Sequence, residues 1–367
     1  MPTRLLIEQF DPVRPKPGGI DTCIRGLVKF APEDEIIRIA GVDAIGDKPL
    51  GKWQEYEIGG RTFQFMALTR LDHANLTRRI PHSVRLAQGL RKYLPKADAD
   101  IVQTHRVNVG DVALRHFRGV PHVQFMHSSG DANLKLGSVS FFRRARGFYR
   151  FLERRVVKHS RAVVIFSRDG AERLQAFSDN VHFSPTWYDP TEFFPAERES
   201  DIKRRVLWAC RIEPAKNPEL ALDAFARTPE DFHLTVAGSG TLEARMRERA
   251  AELGLTDRVD FRGAVPKGSV GNLMREHDLL LMSSRFEGFS RSIVEALGTG
   301  LPVATTPGGE PNGLVVEGSN GARAAEAENP AQLADAIVRA AELSAADAAT
   351  SVRDLSAAII VPNLLSK

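Results

Sequence analysis

The sequence predicts an α/β protein built from two doubly wound domains, and three observations carry that expectation. Short apolar runs alternate with amphipathic helical stretches along the whole chain, the pattern of parallel sheets flanked by helices. The runs are apolar at consecutive positions, as strands buried on both faces require. A proline-rich stretch divides the 367 residues into halves, each long enough for its own core.

In the first half, strands are expected at residues 5–10, 35–42, 101–104, 122–126 and 162–166. Two further runs, 53–58 and 61–66, joined through Gly59-Gly60, read as an inserted hairpin. Residues 185–200 hold three prolines and a charged end, the composition of an interdomain linker. Beyond it, strands are expected at 206–210, 233–237, 259–262, 278–282 and 302–305. A helix is expected over 290–297, where Ile293, Val294 and Leu297 fall at helical spacing and Gly298 closes it. Another is expected over 331–343, followed by a weakly helical segment that Pro362 interrupts. The domains are then 1–190 and 191–345, with 346–367 as a C-terminal segment.

Composition narrows the classes. A hydrophobic content of 43% with 26% charged residues is that of a soluble globular protein. The N-terminal apolar run is too short for a signal peptide, and no stretch approaches the ~18 apolar residues of a membrane span, so a cytoplasmic address is expected. Cys23 and Cys210 are far apart and lack metal-ligand spacing, so both read as ordinary thiols. Neither half shows Gly-x-Gly-x-x-Gly after its first strand, which argues against an NAD-dependent oxidoreductase. Asp98-Ala-Asp100 precedes its strand instead of following it and reads as a cap on the strand's start, so no essential metal is expected.

The richest stretch runs from Arg285 to Gly309. Glu287 falls in a loop at the carboxyl end of a buried strand, where open parallel sheets bind ligands, and Glu295 falls within the next helix. Backbone N–H groups of Gly288, Phe289 and Ser290 lie at that helix start, where the dipole favours an anion such as a diphosphate. One acid can meet a sugar and the other a ribose. Arg211 and Lys216 follow the strand 206–210, and two cations five residues apart on one loop suit a diphosphate leaving group. Gly238 lies in a Gly-x-Gly turn after the strand 233–237, Gly18 and Gly19 lie between the first strand and first helix, and His127 and His105 each end a strand.

Glu287-x7-Glu295, followed by Ala296-Leu297-Gly298-Thr299-Gly300-Leu301-Pro302-Val303 and Gly308-Gly309, resembles the signature of the family 4 retaining glycosyltransferases. The resemblance covers nearly the whole chain and is sharpest over 206–309. It implies the GT-B fold, with two Rossmann-like doubly wound domains facing a central cleft, the first binding acceptor and the second a nucleotide-sugar, and with the C-terminal segment crossing back to the first domain. It also implies a UDP- or GDP-linked donor as co-substrate, no other cofactor and no metal. The acceptor implied is a saccharide or lipid-linked saccharide in polysaccharide or glycolipid assembly. By residue it implies Glu287 and His127 on the transferring sugar, Glu295 on the ribose, and Arg211 and Lys216 on the diphosphate. Gly18 and Gly19 would face the donor phosphate, and Gly238 would lie near the base. Ser290 stands where the family often has Gly, and Asp21 where it often has Glu. A catalytically inactive nucleotide-sugar-binding scaffold and a sugar-nucleotide epimerase of the same fold are the rival readings.

Charge is uneven. Residues 1–195 carry 30 Lys+Arg against 21 Asp+Glu, and 196–367 carry 20 against 25, so the basic excess belongs to the first half. One centre is Arg78, Arg79, Arg85, Arg91, Lys92 and Lys96. The other is Arg143, Arg144, Arg146, Arg150, Arg154, Arg155 and Lys158, interleaved with Phe141, Phe142, Phe148, Tyr149 and Phe151. Such a helix suits either an anionic membrane surface or a solvated face with its aromatic residues in the core. No nucleic-acid module accompanies the charge, so nucleic acid is not an expected partner.

Overall fold

The computed structural model describes residues 1–15, 19–71, 82–94, 99–127, 146–196 and 204–367. The chain forms two compact units, Met1–Pro185 with Val361–Lys367, and Thr186–Ile360.

The first unit runs β1 (Thr3–Ile7), α1 (Gly19–Lys29), β2 (Ile36–Asp43), β3 (Trp53–Ile58), β4 (Arg61–Arg70), α2 (His82–Tyr93), β5 (Ile101–Thr104), α3 (Val107–His116), β6 (His122–Met126), α4 (Arg146–His159), β7 (Ala162–Ile165), α5 (Arg168–Gln175) and β8 (Val181–Phe183). Its sheet has the order β3-β4-β2-β1-β5-β6-β7-β8. Every pairing is parallel except that of β3 with β4. The hairpin expected at Gly59-Gly60 forms, with Trp53 opposite Met66, and both glycines take positive φ. It is not a separate insertion. β4 extends to Arg70 and pairs in parallel with β2, because Phe63, Phe65, Met66, Ala67 and Leu68 are buried and belong to the core.

The second unit runs β9 (Arg205–Ala209), α6 (Pro218–Phe225), β10 (His233–Ala237), α7 (Glu243–Glu252), β11 (Val259–Gly263), α8 (Val270–Arg275), β12 (Leu279–Met282), α9 (Arg291–Gly298), β13 (Val303–Thr305), β14 (Gly321–Arg323), α10 (Pro330–Ala341) and α11 (Ala345–Thr350). Its parallel sheet has the order β11-β10-β9-β12-β13-β14. All four residues of β12 are buried, as the continuous apolar run requires. One face packs Trp208, Phe225, Leu281 and Ile337 into a core, and the other packs Leu207, Leu280, Ile293 and Leu297. Asn329 caps α10 by accepting from the Ala331 and Gln332 N–H groups, with Pro330 in the first turn.

Two expectations are corrected. The stretch 185–200 is not a plain linker where it is described. Trp187, Tyr188 and Phe193 are buried, Tyr188 and Phe193 lie in the second core, and Tyr188 exchanges backbone hydrogen bonds with Leu355 and Ala357. The prolines and charges are real, but aromatic burial outweighs them. Pro362 does not interrupt a helix either. A last helix, α12 (Ala357–Leu365), passes through it, because Val361, Leu364 and Leu365 are buried. Ala358, whose carbonyl loses its partner to the proline, is exposed. Among the described residues no helix is long and apolar enough to cross a membrane.

Candidate active site

In an open parallel sheet the ligand crevice forms at the carboxyl ends of strands whose chain leaves in opposite directions. In the second unit that point lies between β9 and β12, which are neighbours in the sheet although 70 residues apart in the chain. The β9 loop carries Arg211 and Lys216, and the β12 loop carries Glu287.

The two loops are tied to each other. Trp208 Nε1 donates to Ser283 Oγ at 2.9 Å, and Ser283 Oγ donates to the Lys216 carbonyl at 2.8 Å. The Arg285 N–H donates to the Ala215 carbonyl at 3.0 Å, and the Arg285 guanidinium reaches the Pro214 carbonyl and Glu328. Asn217 adopts a left-handed conformation at φ 51°, an uncommon one for a side-chain-bearing residue, and its amide is held by Glu328 at 3.0 Å. Lys216 Nζ thereby meets Glu287 Oε1 in an ion pair with both side chains only partly exposed, and Ser284 Oγ donates to the same oxygen at 2.8 Å. One carboxylate oxygen is thus engaged by a cation and a hydroxyl. Arg211 is exposed on the same loop. Desolvation pushes the adjacent Cys210 thiol up to about 12, so it stays protonated.

The α9 start is built from two sides. Ser290 is the buried N-cap residue, without a side-chain cap bond. Gly288 takes Asn312 Nδ2 on its carbonyl at 2.6 Å. Asn312 is held by Glu310, which is 2% exposed and accepts from the Asn312, Leu314 and Val315 N–H groups. Gly308 lies so close to Arg285 that a Cβ would come within 2.1 Å of its carbonyl oxygen. Phe289 packs partly against the core. Glu295, one turn along α9, meets Arg291 at 3.4 Å, and the Arg291 guanidinium lies over the Trp187 ring. Gly238 has φ 152°, and a Cβ there would come within 1.9 Å of the Cys210 carbonyl oxygen, so that glycine is required by the approach of the β10 loop to the β9 loop.

In the first unit the corresponding point lies between β1 and β5. Gly19 is exposed at the first position of α1, and Gly18 lies outside the described residues. Asp21 is buried and pairs with Arg25 at 2.9 Å. Glu8, after β1, is 2% exposed and pairs with Arg106 at 2.6 Å. His105 and His127 stack with ring centroids 5.2 Å apart, and His105 Nδ1 lies 2.9 Å from His127 Nε2. Cys23 joins them, the three offering ligand atoms within 4.8 Å of one another. Asp100 accepts from the Thr3 N–H at 2.8 Å, tying the start of β5 to that of β1, while Asp98 lies outside the described residues.

The sequence named Lys216 and Glu287 separately and missed their pairing, since nothing in the order of residues announces a contact across 71 positions. It also missed Ser284, Asn217, Glu328 and Glu310, which support the loops. Only Glu310, directly after Gly308-Gly309, carried a local signal.

Comparison with known proteins agrees with this architecture. Residues 189–352 match the family profile Glycosyl transferases group 1, and residues 42–187 match Glycosyl transferase 4-like domain. Mannosylfructose-phosphate synthase of Agrobacterium fabrum is 33% identical over 148 residues, which is 35% of this chain and 32% of that protein. The chain therefore matches about a third of that relative's length. Sucrose-phosphate synthase from Thermosynechococcus elongatus superposes with a TM-score of 0.80 at 18% identity, over 100% of this chain and 98% of that one. Anabaena HepE in complex with UDP-glucose superposes with a TM-score of 0.69 at 18% identity, over 100% of both chains. With two Rossmann-like units in tandem and both family profiles matched in order, the chain belongs to the glycosyltransferases of GT-B fold, a glycosyl transferase 4-like domain followed by a group 1 domain.

Proposed function

We propose that this protein transfers a hexosyl group, with retention at the anomeric carbon, from a UDP- or GDP-linked sugar to a saccharide or lipid-linked saccharide. The observation that supports this most is the engagement of Glu287 by Lys216 and Ser284 at the switch point of the second sheet. In this reading Glu287 accepts hydrogen bonds from the hydroxyls of the transferring sugar, and Lys216 with Arg211 stabilises the diphosphate as the glycosidic bond breaks. The N–H groups of Gly288, Phe289 and Ser290 add partial positive charge at the start of α9. Glu295 takes the ribose hydroxyls, His127 contacts the sugar, Gly18 and Gly19 approach the donor phosphate, and Gly238 shapes the loop near the base. Bond breaking then runs through an oxocarbenium-like state with same-face attack, the leaving phosphate taking the acceptor's proton. Cations and backbone dipoles supply the charge stabilisation, so no metal is called for. The protein works in the cytoplasm, at the inner face of a membrane where its acceptor is lipid-linked.

A thermal-shift panel of UDP, GDP, ADP and their sugar conjugates, with and without magnesium, tests the donor site. One nucleotide should raise the melting temperature of the wild type regardless of metal, and that gain should vanish in Glu295→Ala. No shift with any nucleotide would sink the donor reading. Glu287→Ala should lower kcat at least 10²-fold, on the order of removing a transition-state contact, while nucleotide binding persists. Unchanged turnover in that variant would remove Glu287 from the chemistry.

A further inference from the structure

A hydrogen-bond chain that begins at a buried arginine ends on His127. Arg4, 0% exposed on β1, directs Nε to Glu35 at 2.5 Å, Nη2 to the Leu365 carbonyl and Nη1 to Gln103 Oε1 at 3.2 Å. An arginine only donates, so this contact decides which end of the Gln103 amide faces it, namely the oxygen. The amide nitrogen is left facing His105 Nε2 at 3.0 Å. That nitrogen also only donates, so His105 Nε2 accepts. Burial pushes the His105 pKa down to about 3, which keeps the ring neutral, and its single proton therefore sits on Nδ1. Nδ1–H then donates to His127 Nε2 at 2.9 Å. A doubly protonated His127 would set two N–H groups against each other there, so the same contact favours a neutral His127 with its proton on Nδ1.

We infer that Arg4, Gln103 and His105 are positioning residues that lock His127 in the neutral Nδ1–H tautomer, with its Nε2 lone pair committed to His105. That this lock serves sugar binding rests on the reading of His127 proposed above. His105 Nδ1 presents a proton, not a lone pair, toward His127, and its Nε2 lone pair is taken by Gln103, which argues against Cys23, His105 and His127 as metal ligands. The Leu365 carbonyl fills one side of Arg4, so the last turn of the chain takes part in holding the lock.

Ring nitrogen correlations on the ¹⁵N-labelled full chain at pH 8 read the tautomers directly. The His105 and His127 signals are assigned by their loss in His105→Gln and His127→Ala. Both rings should carry the proton on Nδ1, the reverse of the form a free histidine side chain prefers in water. Gln103→Glu replaces the donor by an acceptor and should reverse both rings, while Gln103→Met should release His105 to a mixture. Kinetically, Gln103→Glu should lower kcat at least tenfold, and should lower it no further when added to His127→Ala. An Nε2–H tautomer at either ring of the wild type overturns the inference, as does a His127 tautomer that both Gln103 variants leave unchanged. If Gln103→Glu does not fold, the wild-type and Gln103→Met spectra still decide. Tautomers as inferred with normal turnover in His127→Ala would uphold the lock and remove His127 from the sugar site.

Discussion

Gly288 has no packing reason to be glycine. A Cβ built there meets nothing within 4 Å, whereas at Gly238 and Gly308 it would strike a backbone carbonyl at 1.9 Å and 2.1 Å. Gly288→Val should therefore cost no more than about 1 kcal/mol of stability. If the α9 start holds a diphosphate, the same change should weaken nucleotide binding tenfold or more. Titration calorimetry paired with an unfolding curve separates the two effects, and unchanged affinity would take Gly288 out of the site. A second prediction concerns His105 and His122, both buried and both pushed down to about 3 by desolvation. Their unfolded forms titrate near 6.5, so between these values the unfolded chain binds more protons and stability rises with pH. The contribution is fully present above pH 6.5 and is lost as pH falls. Each ring then forfeits about 1.4 kcal/mol per pH unit. Urea midpoints should fall from pH 7 to pH 5.5 by an amount equivalent to about 2–3 kcal/mol for the two rings, and His122→Gln should remove about half of that slope. A flat profile would show that neither ring is held neutral. At this scale the sequence names the chemistry-bearing side chains, because residue type and position after a strand are local properties. It does not name the partners that hold them, as Trp208, Ser283 and Lys216 show, because a shared hydrogen-bond chain depends on which strands become neighbours.

Helix α4 is the element whose face carries the most unexplained chemistry. Phe148 and Phe151 are 57% and 58% exposed, one turn apart, and Arg150, Arg154 and Lys158 are exposed on the same helix, while Leu152, Val156 and Val157 fill the core. These two phenylalanines are not core residues, which tips the open choice toward a surface role. Arg78, Arg79, Lys96, Phe141, Phe142, Arg143 and Arg144 lie outside the described residues. Each basic residue near an anionic bilayer contributes about 1 kcal/mol. The wild type should float with vesicles containing anionic lipid at moderate salt, and Phe148→Ser with Phe151→Ser should lower the bound fraction at least tenfold without changing turnover on a soluble acceptor. Wild-type protein left at the bottom of the gradient would end the membrane reading. The elements themselves were legible where apolar runs are long enough to show a period, as in β12 and α9. The three-residue edge strands β8 and β14 were not, since neither is a continuous apolar run like the equally short but central β13, and they exist because the sheet beside them has an open edge. Pro362 and the stretch after Pro185 misled for one reason, that tertiary burial of Val361, Trp187 and Phe193 outweighs local propensity.

Across the whole molecule, charge is divided much as the proposed labour is. The first 195 residues carry the basic surplus, 30 Lys+Arg against 21 Asp+Glu, and the remainder carry 20 against 25. On the proposed reading an anionic donor is drawn to a half that is acidic overall, so its affinity has to come from local cations and not from the field of the domain. Arg211, Lys216 and the α9 start are the groups proposed for that task. Two consequences separate this from a metal-bridged diphosphate. At a nucleotide concentration of 100 times its Kd, the folded protein gains about 2.7 kcal/mol, or roughly 5–10 °C in melting temperature for a domain of this size. That gain should survive an excess of chelator, and turnover should survive it with the same fidelity. In Lys216→Met or Arg211→Ala the gain should fall by at least half, and added magnesium should not restore it. A metal site would give the opposite pattern, with loss of both gain and turnover on chelation and recovery on adding the ion back. Scanning calorimetry of wild type and the two variants, each with nucleotide, with nucleotide and chelator, and with nucleotide and magnesium, distinguishes the patterns, and a chelator-sensitive shift in the wild type would overturn the assignment of the diphosphate to these two cations alone.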